Sequence, residues 1–158
     1  MKDVKPIKRS KQLVPLSHEH HDTLLFIWKI KQGLKNKTSV EIMSNYIQWF
    51  WQTHIKEHFD KEETLLLPHL AGNELGHQLK KEHETIRSLM MHPANETSIS
   101  LLMTSLDDHI RFEERRLFGF IEKELSADEL DKIFTELGHA EHGDCEWGNE
   151  FWTSEKNS

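Results

Sequence analysis

Cysteine is almost missing from this chain: Cys145 is the only one among 158 residues. That excludes an internal disulfide framework and any Cys-rich zinc or iron–sulfur site. Glycine and proline are also scarce, with 7 and 4 residues. Folds made of strands and tight turns need more of both, together with β-branched runs, so their scarcity points to helices. No apolar run approaches the ~18 residues of a membrane span. Positive charge is outnumbered, with 20 Lys and Arg against 27 Asp and Glu and a formal net charge of −7. An acidic chain of this kind is a poor match for nucleic acid or an anionic membrane, both of which need a basic face. The basic stretch Lys2, Lys5, Lys8, Arg9 and Lys11 leads into no apolar signal segment. The expected location is therefore the cytoplasm.

What the chain has in excess is histidine, 12 residues in a length suited to one domain. Residues 1–15 form a basic arm that ends at Pro15. Ser17 is placed to cap a first helix that runs to about Leu34, with Gly33 near its end. A second helix is predicted from Val40 to Leu67, closed by Pro68, and a third from about Glu74 to Met91, stopped by His92-Pro93. A fourth runs from about Ile99 to Leu125. Ser126 followed by Glu129 has the spacing of a capping box and opens a short fifth helix to about Leu137. The expected architecture is all-α: an up-down-up-down four-helix bundle over residues 16–125, with a C-terminal helix and tail over 126–158.

Each helix should turn one apolar stripe inward at i, i+3, i+4, i+7. In the first this stripe is Leu16, Leu24, Ile27, Ile30 and Leu34, with His20 nearest its centre and His21 about 100° round the flank. In the second, Met43, Ile47, Trp51, Ile55, Leu65 and Leu66 share a face with His58 and, one turn later, Glu62. His83 lies among Leu75, Leu79, Ile86 and Met90 in the third. The fourth repeats the second, with His109 and Glu113 among Leu102, Leu106, Leu117 and Phe120. Glu63 points away from its stripe and Glu114 lies toward the flank of its own. One histidine on an apolar face is usually a satisfied core residue. A buried ionised carboxylate costs several kcal/mol unless it is paired or bound to a cation. Here every stripe carries a His, two also carry a Glu, and none carries a Lys or Arg. Metal cations would neutralise such a set. Six N and O donors without sulfur suit iron, manganese or zinc. Two near-symmetric carboxylates could bridge a pair of ions, as in helix-bundle carboxylate proteins.

His58-Phe59-Asp60-Lys61-Glu62-Glu63 and His109-Ile110-Arg111-Phe112-Glu113-Glu114 resemble the paired H-x-x-x-E signatures of hemerythrin-like (HHE cation-binding) domains. Leu16-Ser17-His18-Glu19-His20-His21 resembles that family's first-helix segment, and Glu82-His83-Glu84-Thr85-Ile86 its third. The resemblance implies a non-haem di-iron centre in which His58, His83, His109 and a first-helix His are terminal ligands and Glu62 and Glu113 bridge. For the first-helix ligand, stripe position favours His20, while spacing to the following leucine favours His21. Oxygen-carrying hemerythrins place a further His where this chain has Leu79. The four-His, two-Glu pattern is similar to that of members linked to iron–sulfur repair and to nitric-oxide or oxygen stress. The Cys-containing N-terminal segment of some of those proteins is missing here, which counts against repair. The implied function is a metal-binding protein that binds or senses dioxygen, nitric oxide or iron. The alternative is an oxidoreductase or iron-centre repair protein. Implied partners are a small gas or oxidant ligand (O2, NO or peroxide), with a redox partner or a second copy also open to it.

His139, His142 and Cys145 have the spacing of a partial zinc site, although a solvated tail is the simpler expectation. His54 falls at the edge of the second stripe as a partly buried residue or an outer partner of the centre. His18, His69, His77 and His92 are expected in solvent. The aromatic tail with Phe151 is placed to cover one end of the bundle.

Overall fold

Apolar stripes at helical spacing bury themselves only by packing against one another, and four long helices do so here. The structure, a computed structural model, describes residues 9–137 and 150–153. Helix α1 is Val14–Lys35. Helix α2 occupies residues 40–65 in three pieces, Val40–Phe50, a π turn at Trp51–Ile55, and Lys56–Leu65. A short 3-10 segment, Leu67–Leu70, leads to α3 at Glu74–Met91. Helix α4 covers residues 96–124, again with a π turn, Glu113–Leu117, between Glu96–Phe112 and Phe118–Glu124. Helix α5 is Ala127–Leu137. No strand occurs among the described residues. The four long helices pack in a ring, α1 on α2, α2 on α3, α3 on α4 and α4 on α1, and α5 lies against α1 and α2.

Local chemistry accounts for most of the helix ends. Ser39 accepts from the Ile42 N–H, Asn73 from the Leu75 N–H, and Asn95 and Ser98 form a capping box at the start of α4. Ser126 and Glu129 close the box expected of α5. Helix α1 begins before Ser17, because Pro15 sits in its first turn, where a missing N–H leaves no intrahelical bond unmade. Gly33 does not end that helix. A Cβ there would lie 2.7 Å from Phe151 Cε1, so the glycine admits the aromatic ring that caps this end of the bundle.

The core has two parts. One is rich in aromatics and includes Phe26, Tyr46, Phe50, Trp51, Phe59 and Phe151. The other is rich in leucine and includes Leu13, Leu16, Leu66, Leu70, Leu79 and Leu117. One expected stripe residue sits outside the core, and Leu34, Leu65, Leu75 and Phe120 only border it. Leu24 is 41% exposed, and Thr23 and Phe26 take its expected place beside Ile27 on α1. On α4, Phe118 and Ile121 are buried and Phe120 is only partly so. In the π turn the Phe118 N–H reaches back five residues to the Glu113 carbonyl. One additional residue in a turn rotates everything beyond it by ~100°, which moves Phe118 inward.

Candidate metal centre

Four histidines and two glutamates converge between the two core regions. His20 comes from α1, His58 and Glu62 from α2, His83 from α3, and His109 and Glu113 from α4, and all six are buried. Glu62, His83 and Glu113 have no exposed surface at all. Their potential ligand atoms form two groups, His20, His58, Glu62, Glu113 and Glu62, His83, His109, Glu113, with atoms within 4.8 Å of one another in each. The carboxylates belong to both groups.

Every imidazole turns Nε2 inward. His20 Nε2 is 3.0 Å and His109 Nε2 2.8 Å from Glu113 Oε1. His58 Nε2 is 3.3 Å from Glu62 Oε2, and His83 Nε2 is 3.1 Å from Glu62 Oε1. Every Nδ1 faces outward to a second carboxylate: His20 to Glu114 at 2.7 Å, His58 to Glu19 at 3.1 Å, His83 to Glu63 at 2.5 Å and His109 to Glu82 at 2.7 Å. These outer carboxylates form a closed ring. Glu19 of α1 holds the His of α2, Glu63 of α2 that of α3, Glu82 of α3 that of α4, and Glu114 of α4 that of α1.

An ionised carboxylate can only accept a hydrogen bond, so each Nδ1 carries the proton and donates it. That leaves a lone pair on every inward Nε2, facing carboxylate oxygens that are also acceptors. His58 Nε2, Glu62 Oε2, His109 Nε2 and Glu113 Oε2 are buried without a hydrogen-bond partner. A cluster of acceptors needs cations at its centre, either protons or metal ions. Without metal, burial and the adjacent Glu113 push the Glu62 carboxyl well above its usual range. Burial would raise Glu113 too, but His109 and His20 hold it well below. His109 is raised to about 10 against its burial, chiefly by Glu113, and burial together with His109 lowers His83 to about 4. Protons are thus unevenly divided among groups that offer a near-symmetric set of donor atoms. The donor set fits a pair of cations, with imidazole nitrogens terminal and a carboxylate available to each side.

The family model for the hemerythrin HHE cation-binding domain matches residues 12–121. The chain belongs to that family. No curated protein and no solved structure matches it significantly. The HHE match spans all six inner residues and all four outer carboxylates.

Other histidines lie apart. His21 is exposed and outside both groups, one residue and about 100° of helix rotation from His20. His54 packs against Phe50 and Trp49 in the α2 π turn. His18, His77 and His92 are exposed, as is His69, which lies 3.6 Å from Glu129. His139, His142 and Cys145 lie outside the described residues. Leu79 is fully buried in the leucine-rich core, so the position of a fifth His is filled by hydrocarbon. Stripe reasoning missed the outer carboxylates. The available signal was their adjacency to inner residues, in Glu19-His20, Glu62-Glu63, Glu82-His83 and Glu113-Glu114. A residue one step away lies ~100° round the helix, at the edge that meets the neighbouring helix.

Proposed function

We propose that the centre holds two iron ions and that the protein binds or senses a small diatomic ligand, dioxygen or nitric oxide. His20 and His58 would serve one ion, His83 and His109 the other, with Glu62 and Glu113 shared. The observation that carries this reading is the set of buried inward acceptors with no hydrogen-bond partner, doubled about two common carboxylates. Iron bound there supplies a redox-active centre with coordination positions the protein does not fill, since six donors are too few for two six-coordinate ions. The buried Leu79 supports positions left free of protein donors in the His83 and His109 half. The outer carboxylates fix each imidazole's tautomer and orientation. The apolar core on either side keeps bulk water from the inner atoms.

The test is anaerobic reduction of the iron-loaded protein followed by dioxygen or nitric oxide, with the visible spectrum recorded. A band that appears on addition and disappears on removal of the gas supports the reading. Irreversible oxidation with peroxide consumption would replace it by the oxidoreductase alternative. Purified protein without near-stoichiometric metal, and indifferent to added iron, would end both.

A further inference from the structure

Three of the four outer carboxylates meet a cation, and one of these cations lies ahead of the bundle helices. On α3, Arg87 stands one turn after His83. Its Nη1 is 2.8 Å from Glu63 Oε2, and its guanidinium lies 5.8 Å from the centre of the Phe59 ring, which stacks on His83 at 3.8 Å. His83 is therefore held through two neighbours, a carboxylate and an aromatic ring, both touched by the same arginine. The corresponding position one turn after His20 is Leu24, which is exposed. Helix α1 cannot supply the cation.

Arg9, ahead of α1, takes that place. Its Nη2 donates to the Glu114 backbone carbonyl at 2.5 Å and lies 3.5 Å from Glu114 Oε1, while Nη1 is 2.9 Å from Glu122 Oε1. Its guanidinium sits 5.2 Å from the centre of the Phe118 ring, which stacks on His20 at 5.4 Å with the planes 5° apart. Ser17 Oγ donates to Glu114 Oε2 at 2.8 Å, and the Ser10 backbone N–H donates to Glu122. The Arg9 side chain is 6% exposed, far less than that of a solvated arm residue. Arg9 thus touches both groups that orient His20, as Arg87 touches both groups that orient His83.

We propose that Arg9 is a positioning residue for the His20 and His58 half of the centre, so that the N-terminal arm controls retention of one of the two ions. This rests on the two-ion reading above. The guanidinium fork spans Glu114 and Glu122 together, which a lysine ammonium cannot do with the same geometry. Removing it leaves the Glu114 carboxylate held by Ser17 and His20 alone and frees Phe118 on its outer side. Outer partners of metal-bound histidines typically alter affinity by about 10–100-fold.

The experiment follows release of metal from the full-length, cobalt-loaded protein into excess chelator. Wild type is expected to hold two ions. In Arg9→Ala one ion leaves about tenfold faster or more, and the other leaves at the wild-type rate. Arg9→Lys falls between the two, and Glu122→Gln moves in the same direction as Arg9→Ala. In a His83→Ala background, which keeps the His20 half, Arg9→Ala retains its full effect. In a His20→Ala background it has none. Acceleration of both ions alike, or of neither, would overturn the proposal, as would an undiminished effect in the His20→Ala background. A wild type that binds only one ion would instead sink the two-ion reading, and this proposal with it.

Discussion

His20 with His58, and His83 with His109, flank the same two carboxylates, and each pair presents its Nε2 atoms inward. Their outer partners are less alike. In the first half Glu114 meets Arg9, and Glu19 lies 3.4 Å from Lys61 Nζ, so a cation backs both outer carboxylates. In the second half Arg87 backs Glu63, while Glu82 accepts from the neutral Gln78 amide at 2.7 Å. Glu82 also lines a cavity of about 390 Å³ between α3 and α4 with Gln78, Lys81, Thr85, Ser105 and Asp108. One half is closed by charge, and the other reaches an opening through a single carboxylate. Identical inner donors therefore need not hold their ions equally well, since orientation and basicity of an imidazole depend on what its other nitrogen meets.

The largest expected effect removes the difference altogether. Glu113→Ala takes away a donor common to both halves, and metal analysis should find both ions lost. His20→Ala or His83→Ala should cost only the ion of its own half. Retention of both ions in Glu113→Ala would show that the carboxylates are not shared. Next come the outer carboxylates. Glu19→Ala and Glu82→Ala should each weaken one ion by about 10–100-fold, measured by competition with a chelator. Equal weakening of both ions by either variant would erase the distinction between the halves.

A third effect concerns the metal-free protein. Glu62 is fully buried and its ionisation is opposed by burial and by Glu113. Its Oε2 is buried without a hydrogen-bond partner, and an unsatisfied buried polar group costs about 1–3 kcal/mol. Glu62→Leu should therefore raise the melting temperature without metal, while abolishing the rise that metal gives wild type. A fall in the metal-free value would mean that the carboxylate contributes to the fold in its own right.

The inner donors of the site are legible in the sequence and the outer carboxylates are not. The H-x-x-x-E spacing on α2 and α4, and the His on the third stripe, mark five of the inner residues, because helical periodicity decides which side chains face inward, and the first helix leaves His20 and His21 open. His20 and His21 could not be separated by spacing to a leucine, since Leu24 itself turned out to be exposed. The π turns were not legible. Nothing in Trp51–Ile55 or Glu113–Leu117 announces a wide turn, and Phe118 displaced Phe120 from the core as a result. Glu63 and Glu114, read as pointing away, point away only from their own stripes. Their partners are on neighbouring helices, and such pairings depend on tertiary packing. The same holds for Arg9, which lies 105 residues from Glu114 in the chain.

The last effect is the pH response of the metal-free protein, and its two opposed contributions come from the second half. His109 has its pKa raised from 6.5 to about 10, so its contribution is complete below 6.5 and disappears as pH rises toward 10. His83 is lowered from 6.5 to about 4, so its contribution is present above 6.5 and disappears as pH falls toward 4. Urea unfolding without metal should therefore show these two contributions falling away on opposite sides of neutrality. His109→Gln should flatten the alkaline side and His83→Gln the acid side. Bound metal should remove the alkaline decline, because it requires His109 neutral at Nε2.

The most direct test of the central claim is an anaerobic ferrous-iron titration of the metal-free wild type beside His20→Ala, His21→Ala and Glu113→Ala. The account predicts an endpoint of two irons per chain for wild type and His21→Ala, one for His20→Ala, and none for Glu113→Ala. A wild-type endpoint of one or none, or an endpoint of two in His20→Ala, would contradict a two-ion centre built on these six residues.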